Sequence, residues 1–337
     1  MRVGMDISQI AHGGGVSVYT ECLVRELLKH KAFDYTFFYS SFRKPLKVRI
    51  PYVKKYMLPP SIFELLFNKI RNVKIEKFLG SLDVFHSSDW VQPPTDAKKV
   101  TTYHDVIPLK FPEWSHPKIV EVHKKRIKLV EEEIDVVIAV SQATKRDLME
   151  VSKIPSEKIE VIYEGVREDM KPQDGEKVTK FKEKYNLPEK FILAIGGIGE
   201  RKNIQRIKEA ANGYNLVISG ETIPWVKDSE LPLLYSSASV LLYPSLYEGF
   251  GLPIVEAMAC GVPVVTSDSS SMPEVGGDAA VYVDPFNVED IKEKLNEVLN
   301  DAKMRDQLIK KGVERAKQFS WEKCAAQTEE IYKGLSK

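Results

Sequence analysis

Two glutamates, Glu248 and Glu256, stand with seven residues between them in the stretch PSLYEGFGLPIVEAMACG, residues 244–261. Gly249 and Gly251 lie between them, and glycines there let a ligand approach bare backbone amides where a helix begins. A carboxylate accepts several hydroxyl donors and helix-start amides attract anions, so the pattern suits an anionic, hydroxyl-rich ligand. Arg201 and Lys202 in GGIGERKN add cations, and YHD supplies His104 beside Asp105. Each feature also has a plainer reading: a Gly-Phe-Gly turn before an ordinary amphipathic helix, a solvated basic pair, a structural histidine.

The elements that must position these residues follow from periodicity. Val240–Tyr243 reads as a buried strand, and Pro253 sits near the first turn of the helix that follows the glycine loop. FILAIGG reads as a strand, and Arg201 and Lys202 fall at its crossover to a helix over residues 204–211; NLVISG, SVLLYP, VPVVTSD and AAVYVD are further strands. In the first half MRVGMDIS reads as a strand, and HGGGVSVYTECLVRELLK as a glycine-rich turn into a helix with Val16, Tyr19, Leu23 and Leu27 on one face. Gly13, Gly14 and Gly15 do not form a Gly-x-Gly-x-x-Gly fingerprint, and no acidic residue closes a second strand at the dinucleotide-binding distance; a loop facing a substrate cleft is expected instead. DYTFFYS, DVFHSS, KKVTTYHD, IDVVIAVS and KIEVIYEGV continue the strand series, which places His104 at a strand end. Long charged helices are expected over residues 114–133 and 288–319. Ser320 is expected to cap a last helix anchored by Trp321, Cys324 and Ile331.

At 337 residues the chain is comfortable for two domains. The expected division is a domain over residues 1–166, a polar linker over 167–180, a shorter domain over 181–319 and the final helix over 320–337. A formal net charge of +1 gives no global attraction to nucleic acid. Cys22, Cys260 and Cys324 are widely spaced and form no Cys-x-x-Cys pair, which fits a reducing cytosol and indicates neither a disulfide framework nor structural zinc. No signal-peptide or membrane-spanning pattern is read, so a cytoplasmic setting is expected. Residues 43–77 stand apart, with ten lysines and arginines against Glu64 and Glu76 and with Ile62, Phe63, Leu65, Leu66, Phe67 and Ile70 interleaved. Such a piece can lie against an anionic membrane face or receive a phosphate-bearing acceptor; the plainer alternative is a core-facing helix with a solvated basic side.

The strings PSLYEGFGLPIVEAMACGVPVV, GGIGERKN, HGGGVSVYT, YHDVIPL and IAVSQATKRDL, in this arrangement along nearly the whole chain, resemble a family 4 retaining glycosyltransferase of the GT-B fold. The resemblance implies two Rossmann-like parallel-sheet α/β domains facing across a cleft, a donor held mainly by the second, an acceptor held mainly by the first, and a C-terminal helix able to cross back to the first. It implies that Glu248 contacts the donor sugar, that Gly249, Phe250, Gly251 and Leu252 belong to the donor loop, and that Glu256 binds ribose hydroxyls. It implies that Lys202, with Arg201, neutralises the leaving diphosphate. His104 would hydrogen-bond the transferred sugar, and the loop at Gly13, Gly14 and Gly15 would lie over phosphates or acceptor.

The reaction so implied moves a hexosyl group from a sugar nucleotide to a glycan or lipid-linked acceptor, with retention at the anomeric carbon, in surface polysaccharide or lipopolysaccharide assembly. GDP-mannose is the favoured donor because the HDVIPL and RKN variants resemble mannosyltransferases; UDP-sugars stand behind it. No Asp-x-Asp is present, so no metal or other cofactor is expected, the basic pair standing in its place. Two departures from the family pattern stand out. Gly197 occupies the place where many members carry an arginine, and only 45 residues separate Lys202 from Glu248, which shortens the neighbourhood of base recognition. Two other readings remain: a non-catalytic sugar-nucleotide binding protein, and a GT-B-fold epimerase.

Overall fold

Runs of valine, isoleucine, leucine and aromatic residues, apolar on both faces, form the strands, as expected of parallel sheets covered by helices on each side. The computed structural model describes residues 1–337 except His12, Lys47, Ile198, Ser336 and Lys337. His12 of the glycine-rich turn, Lys47 of the basic segment and Ile198 of GGIGERKN therefore lie outside the described residues. The chain divides into two units, one of Met1–Gly165 with Trp321–Lys337 and one of Val166–Ser320.

The first unit holds β1 (Arg2–Asp6), β2 (Asp34–Ser40), β3 (Val53–Tyr56), β4 (Val84–Ser87), β5 (Lys98–Tyr103), β6 (Val136–Ala139) and β7 (Ile159–Val161). They form one parallel sheet in the order β3-β2-β1-β4-β5-β6-β7. Sequence order reverses between β1 and β4, and the ends of those strands are where an open α/β sheet takes ligands. The helix Gly15–His30 buries Tyr19, Leu23, Val24 and Leu27. The final helix, Trp321–Leu335, packs on it and buries Trp321, Cys324 and Tyr332; Ile331 is only half-buried, so Tyr332 is the anchor that periodicity assigned to its neighbour.

The basic segment is not one helix. It runs through the edge strand β3, a helix at Pro60–Glu64, a π-helical turn at Leu65–Ile70 and a short helix at Glu76–Leu79. Phe63, Phe67 and Leu79 enter a core cluster with Phe38 and Phe85, whereas Tyr52, Met57, Leu58, Ile62, Leu65 and Ile70 stay exposed.

The second unit holds β8 (Ile192–Ile195), β9 (Leu216–Ser219), β10 (Val240–Tyr243), β11 (Val264–Ser267) and β12 (Val281–Val283). They are parallel in the order β12-β11-β10-β8-β9, with the reversal between β8 and β10. Residues 167–180 belong to this unit rather than forming a free tether. From Gly175 they are helical (Gly175–Tyr185), because the Asp174 carboxylate caps the amides of Glu176 and Lys177. Between Ser219 and the helix Leu231–Ser237 there is only one 3-10 turn, Asp228–Glu230. No helix among the described residues is long and apolar enough to cross a membrane.

Candidate functional site

The reversal in the second sheet places two loops side by side. After β8 the chain passes Gly196 and Gly197 into a 3-10 turn, Glu200–Lys202, and Asn203 then takes a left-handed conformation (φ 58°) that starts the helix Ile204–Ala210. The buried Asn203 amide donates to the Pro244 carbonyl (2.9 Å) and the Pro285 carbonyl (2.6 Å). The Leu246 amide donates to the Arg201 carbonyl at 2.8 Å, so the crossover is stitched to the loop after β10. That loop is held from its other side by the Ser270 and Ser271 hydroxyls on the Glu248 carbonyl (2.5 and 2.9 Å) and by Ser271 on the Phe250 carbonyl (2.8 Å).

Glu248 meets Arg201 and Lys202 there, although the adjacent cations lie far from it in sequence. Arg201 Nη1 donates to Glu248 Oε2 at 2.6 Å, and Lys202 Nζ to Oε1 at 2.8 Å. Tyr243, at the end of β10, donates its hydroxyl proton to Glu248 Oε1 (2.7 Å) and accepts from Lys202 Nζ (2.6 Å). Burial alone would raise the Glu248 carboxyl, but the Lys202 ammonium and Arg201 guanidinium, with their hydrogen bonds, outweigh it and hold the group down at about 2. Burial and the neighbouring Arg201 charge lower the Lys202 ammonium against the pull of Glu248. Two cations thus share one carboxylate, and the cluster retains an appetite for an anion. The Lys202 stem lies against Gly197, whose ideal Cβ would stand 3.3 Å from Lys202 Cγ. A larger residue there would crowd the lysine, which gives the Gly197 departure a local reason.

The helix Leu252–Ala259 begins at Gly251, whose φ of 99° favours glycine, and carries Pro253 in its first turn. Phe250 is buried and packs its ring on Phe319, with centroids 5.6 Å apart, so its side chain belongs to the core and only its backbone can serve a ligand. Leu252 is half-buried at the start of the helix. Glu256, one turn further on, is not joined to the cations. Its Oε2 accepts from the Tyr235 hydroxyl at 2.7 Å, and burial raises its carboxyl despite that bond and the Arg167 guanidinium nearby.

In the first unit His104 follows β5 and is 8% exposed. Its Nδ1 lies 3.1 Å from Glu164 Oε1, and Tyr19 meets its ring edge-on at 4.6 Å. Its Nε2 is buried without a hydrogen-bond partner among the described residues, and a buried polar atom in a protein interior calls for one. Burial works against the imidazolium, but the hydrogen bond and charge of Glu164 prevail and the group is raised. Gly13 and Gly14 have φ of 78° and 76°, Gly15 opens the helix Gly15–His30, and nothing lies within 4 Å of a Cβ built on Gly13 or Gly14.

Sequence reasoning missed Tyr243, Asn203, Tyr235 and Glu164. The first three bond to residues more than twenty positions away or act as part of a strand, so nothing local marks them. Glu164 could have been found: it stands just beyond β7, as His104 stands just beyond β5, at the strand ends where α/β sheets gather polar groups. Among the described residues no group of three histidine, cysteine or carboxylate side chains is arranged to hold a metal ion.

Residues 144–315 match the family Glycosyl transferases group 1, and residues 13–169 match Glycosyltransferase Family 4. Among solved structures, sucrose-phosphate synthase from Thermosynechococcus elongatus is similar over 99% of this chain and 99% of its own, with a TM-score of 0.81 at 20% identity. Two parallel-sheet α/β units of this kind define the GT-B class. The chain is 32% identical over 284 residues to O-antigen chain mannosyltransferase B of Escherichia coli, covering 75% of this chain and 74% of that protein. It is 31% identical over 265 residues to the serotype-specific mannosyltransferase WbdA of Escherichia coli, covering 68% of this chain but 32% of the relative, so it spans about a third of that protein. The chain belongs to the group 1 glycosyltransferases, the family with the family 4 pattern in its first half.

Proposed function

We propose that this glycosyltransferase moves a hexose, mannose being the first candidate, from a sugar nucleotide to a hydroxyl of a glycan or lipid-linked acceptor in polysaccharide or lipopolysaccharide assembly. Transfer retains the anomeric configuration and needs no metal. The observation that carries the reading is the buried cluster of Arg201, Lys202, Tyr243 and Glu248 at the reversal of the second sheet, with two cations on one carboxylate. A nucleoside diphosphate is the anion such a cluster suits, because its charge grows as the glycosidic bond breaks and fixed cations stabilise it most at that moment. The diphosphate would draw Arg201 and Lys202 from Glu248, freeing carboxylate oxygens for the sugar hydroxyls. Glu256 would take the ribose hydroxyls beside Tyr235, and the amides of Gly249, Phe250 and Gly251 the sugar. The orphaned His104 Nε2 would donate to the transferred hexose. On the retaining account, the departing phosphate oxygen takes the acceptor proton on the face where the new bond forms, so no covalent nucleophile is required.

Mannose ranks first because the relatives in Escherichia coli are named mannosyltransferases; GDP-mannose is the corresponding donor, with UDP-sugars next. A thermal-shift screen of GDP-, UDP- and ADP-sugars, followed by single-turnover assay of nucleotide release in excess chelator, tests the reading. The expected result is a higher Tm with one nucleotide series and acceptor-dependent release that chelator leaves unchanged. Strict dependence on added manganese would overturn the metal-free mechanism. Binding without any release would favour a non-catalytic sugar-nucleotide binder, a reading to which the single 3-10 turn between Ser219 and Leu231 lends some support.

A further inference from the structure

A buried line of polar side chains crosses the first unit and stops at the ring of His104. Tyr19 is wholly buried on the helix Gly15–His30. Its ring meets His104, and its hydroxyl lies 3.1 Å from Thr102 Oγ1. Thr102 and His104 are two residues apart at the end of β5, so the period of a strand puts both on the face that Tyr19 covers. The same Thr102 oxygen stands 2.9 Å from His86 Nε2 on β4, and His86 Nδ1 stands 2.7 Å from the Tyr332 hydroxyl of the last helix. Thr102, His86 and Tyr332 are buried, and Trp321 meets the Tyr19 ring edge-on at 5.8 Å. Two helices and two strands thus contribute to the placing of one phenol ring.

The histidine needs such a ring. Among the described residues His104 has one hydrogen bond, at Nδ1 with Glu164, and its buried Nε2 has none. One bond pins one atom. The imidazole can still pivot about it, because the ring torsion of histidine has broad wells, and the pivot would carry Nε2 through an arc. The Tyr19 ring stands 4.6 Å away, centroid to centroid, with its plane turned 82° to the imidazole, and closes that arc. Neither Tyr19 nor His86 brings a charge to the task. Burial pushes the Tyr19 phenol well above its ordinary value, and burial holds the His86 imidazole down at about 3, so both are neutral near pH 7. What the line supplies to His104 is position.

We propose that Tyr19 is the positioning residue of His104: its ring, held through Thr102 and His86 to Tyr332 and backed by Trp321, sets the direction in which His104 Nε2 meets the transferred hexose. The proposal rests on the glycosyltransferase reading and adds to it a residue too deeply buried to touch donor or acceptor. A donor aimed at a reacting sugar works only in register, and misplacement by about 1 Å can cost about a hundredfold in rate. The last helix then has a second duty besides packing, because Tyr332 and Trp321 hold the ring that holds the histidine. An ordinary core ring would behave differently. Its loss would weaken the fold whether or not His104 were present, whereas loss of a positioning ring acts only through the imidazole.

The test is a double-mutant cycle on the full chain, with Tyr19→Leu, His104→Asn and the two together, assayed with the donor found by thermal shift and well below the lowest Tm of the set. Tyr19→Leu is expected to lower kcat about tenfold or more while the donor KM stays within about twofold, and Tyr19→Phe, which keeps the ring, to recover most of the loss. In the His104→Asn background Tyr19→Leu should change kcat by less than about twofold, because no imidazole is left to misplace. Should Tyr19→Leu fail to fold, Thr102→Val, of nearly the same shape, removes the anchor of the Tyr19 hydroxyl and takes its place in the cycle. A second readout needs no turnover. With carbon-13 at Cε1 of the six histidines, the His104 signal, assigned by its absence in His104→Asn, should be single in the unaltered chain and in Tyr19→Phe, and shifted or broadened in Tyr19→Leu. Equal losses of kcat in both backgrounds, an unaltered His104 signal in Tyr19→Leu, or full turnover by His104→Asn would overturn the proposal. A chain that turns over no sugar nucleotide, yet whose His104 signal still answers to Tyr19, would instead defeat the glycosyltransferase reading, so the two failures are distinct.

Discussion

Glu248 is both a candidate catalytic group and the hub of a buried ion cluster, and its replacement reports on both roles. Its sequence position suggests that Glu248→Gln removes a site charge without touching the fold. The ion pairs change that expectation, because the amide leaves Arg201 and Lys202 without their anion. Breaking a buried pair costs about 3–5 kcal/mol. Glu248→Gln should therefore lower turnover by orders of magnitude and also lower Tm by several degrees. Saturating nucleoside diphosphate should recover much of the Tm loss, and an unchanged Tm would show that the cations do not depend on the carboxylate. The pH dependence has a definite sign. The carboxyl is depressed from 4.5 to about 2 on folding. Its contribution, about 3 kcal/mol, is complete above the unfolded value and is lost as pH falls from about 4.5 towards 2. His104 runs the other way: its folded value is raised, so its contribution is present below the ordinary histidine value and fades as pH climbs through the folded one. If the imidazolium is the donor to the sugar, kcat falls as pH climbs through that raised value. Glu164→Gln should move that limb to lower pH, and a limb left in place would show that another group sets it.

At the scale of elements, the strand, loop and helix that carry Glu248 were legible because their signals are local: an all-apolar run, a glycine at φ 99° and a proline in the first helical turn. The cation turn was legible for the same reason, as charged residues after an apolar strand. The loop after β4 was not, since its shape depends on Asn68, Gln9 and Gln92 reaching it from other elements. The basic segment misleads in another way. Its edge strand, VKKY, has lysines on exposed positions, which suits an unpaired sheet edge but erases the alternation by which strands are read. Some of its charge is already paired, Arg71 with Glu133, Lys69 with Glu64 and Lys74 with Asp96. Arg43, Lys44, Arg49, Lys54 and Lys55 remain exposed, near in sequence to exposed Phe42, Tyr52, Met57, Leu58, Ile62, Leu65 and Ile70. Exposed apolar side chains among cations suit the surface of an anionic bilayer. The protein should co-sediment with vesicles containing phosphatidylglycerol at low salt, less so as salt rises, and less again with Ile62→Ser and Leu65→Ser together. No binding to such vesicles at low salt would end the membrane assignment and leave the segment as a sheet edge with a solvated face.

For the molecule as a whole, two α/β units could be read from alternating strand and helix patterns, whereas the return of the last helix to the first unit, which the family resemblance implied and the fold bears out, could not be read from the helix's own pattern. An amphipathic helix states which of its faces is apolar, not which unit will bury it. The answer lies in buried polar contacts that only the folded chain assembles. Tyr332 pairs its hydroxyl with His86 Nδ1 at 2.7 Å, Glu329 accepts from Tyr35 at 2.8 Å and stands 3.0 Å from His30 Nδ1, and Trp321 meets Tyr19 edge-on at 5.8 Å. These partners lie on β4, β2 and the helix Gly15–His30, so the first unit is built from both ends of the chain. A chain ending at Ser320 would expose Tyr19 and leave His86 without one of its two hydrogen bonds, while the second unit, Val166–Ser320, keeps all its strands. Hydrogen exchange on the truncated protein should show protection lost in β1, β4 and Gly15–His30 but kept in β8 and β10. Tyr332→Phe, which removes only the hydroxyl, should give a milder loss confined to the same unit, because the ring still fills its site. Equal loss in both units would mean that the last helix supports the whole molecule, and undiminished protection in β4 would mean that the first unit is stable without it.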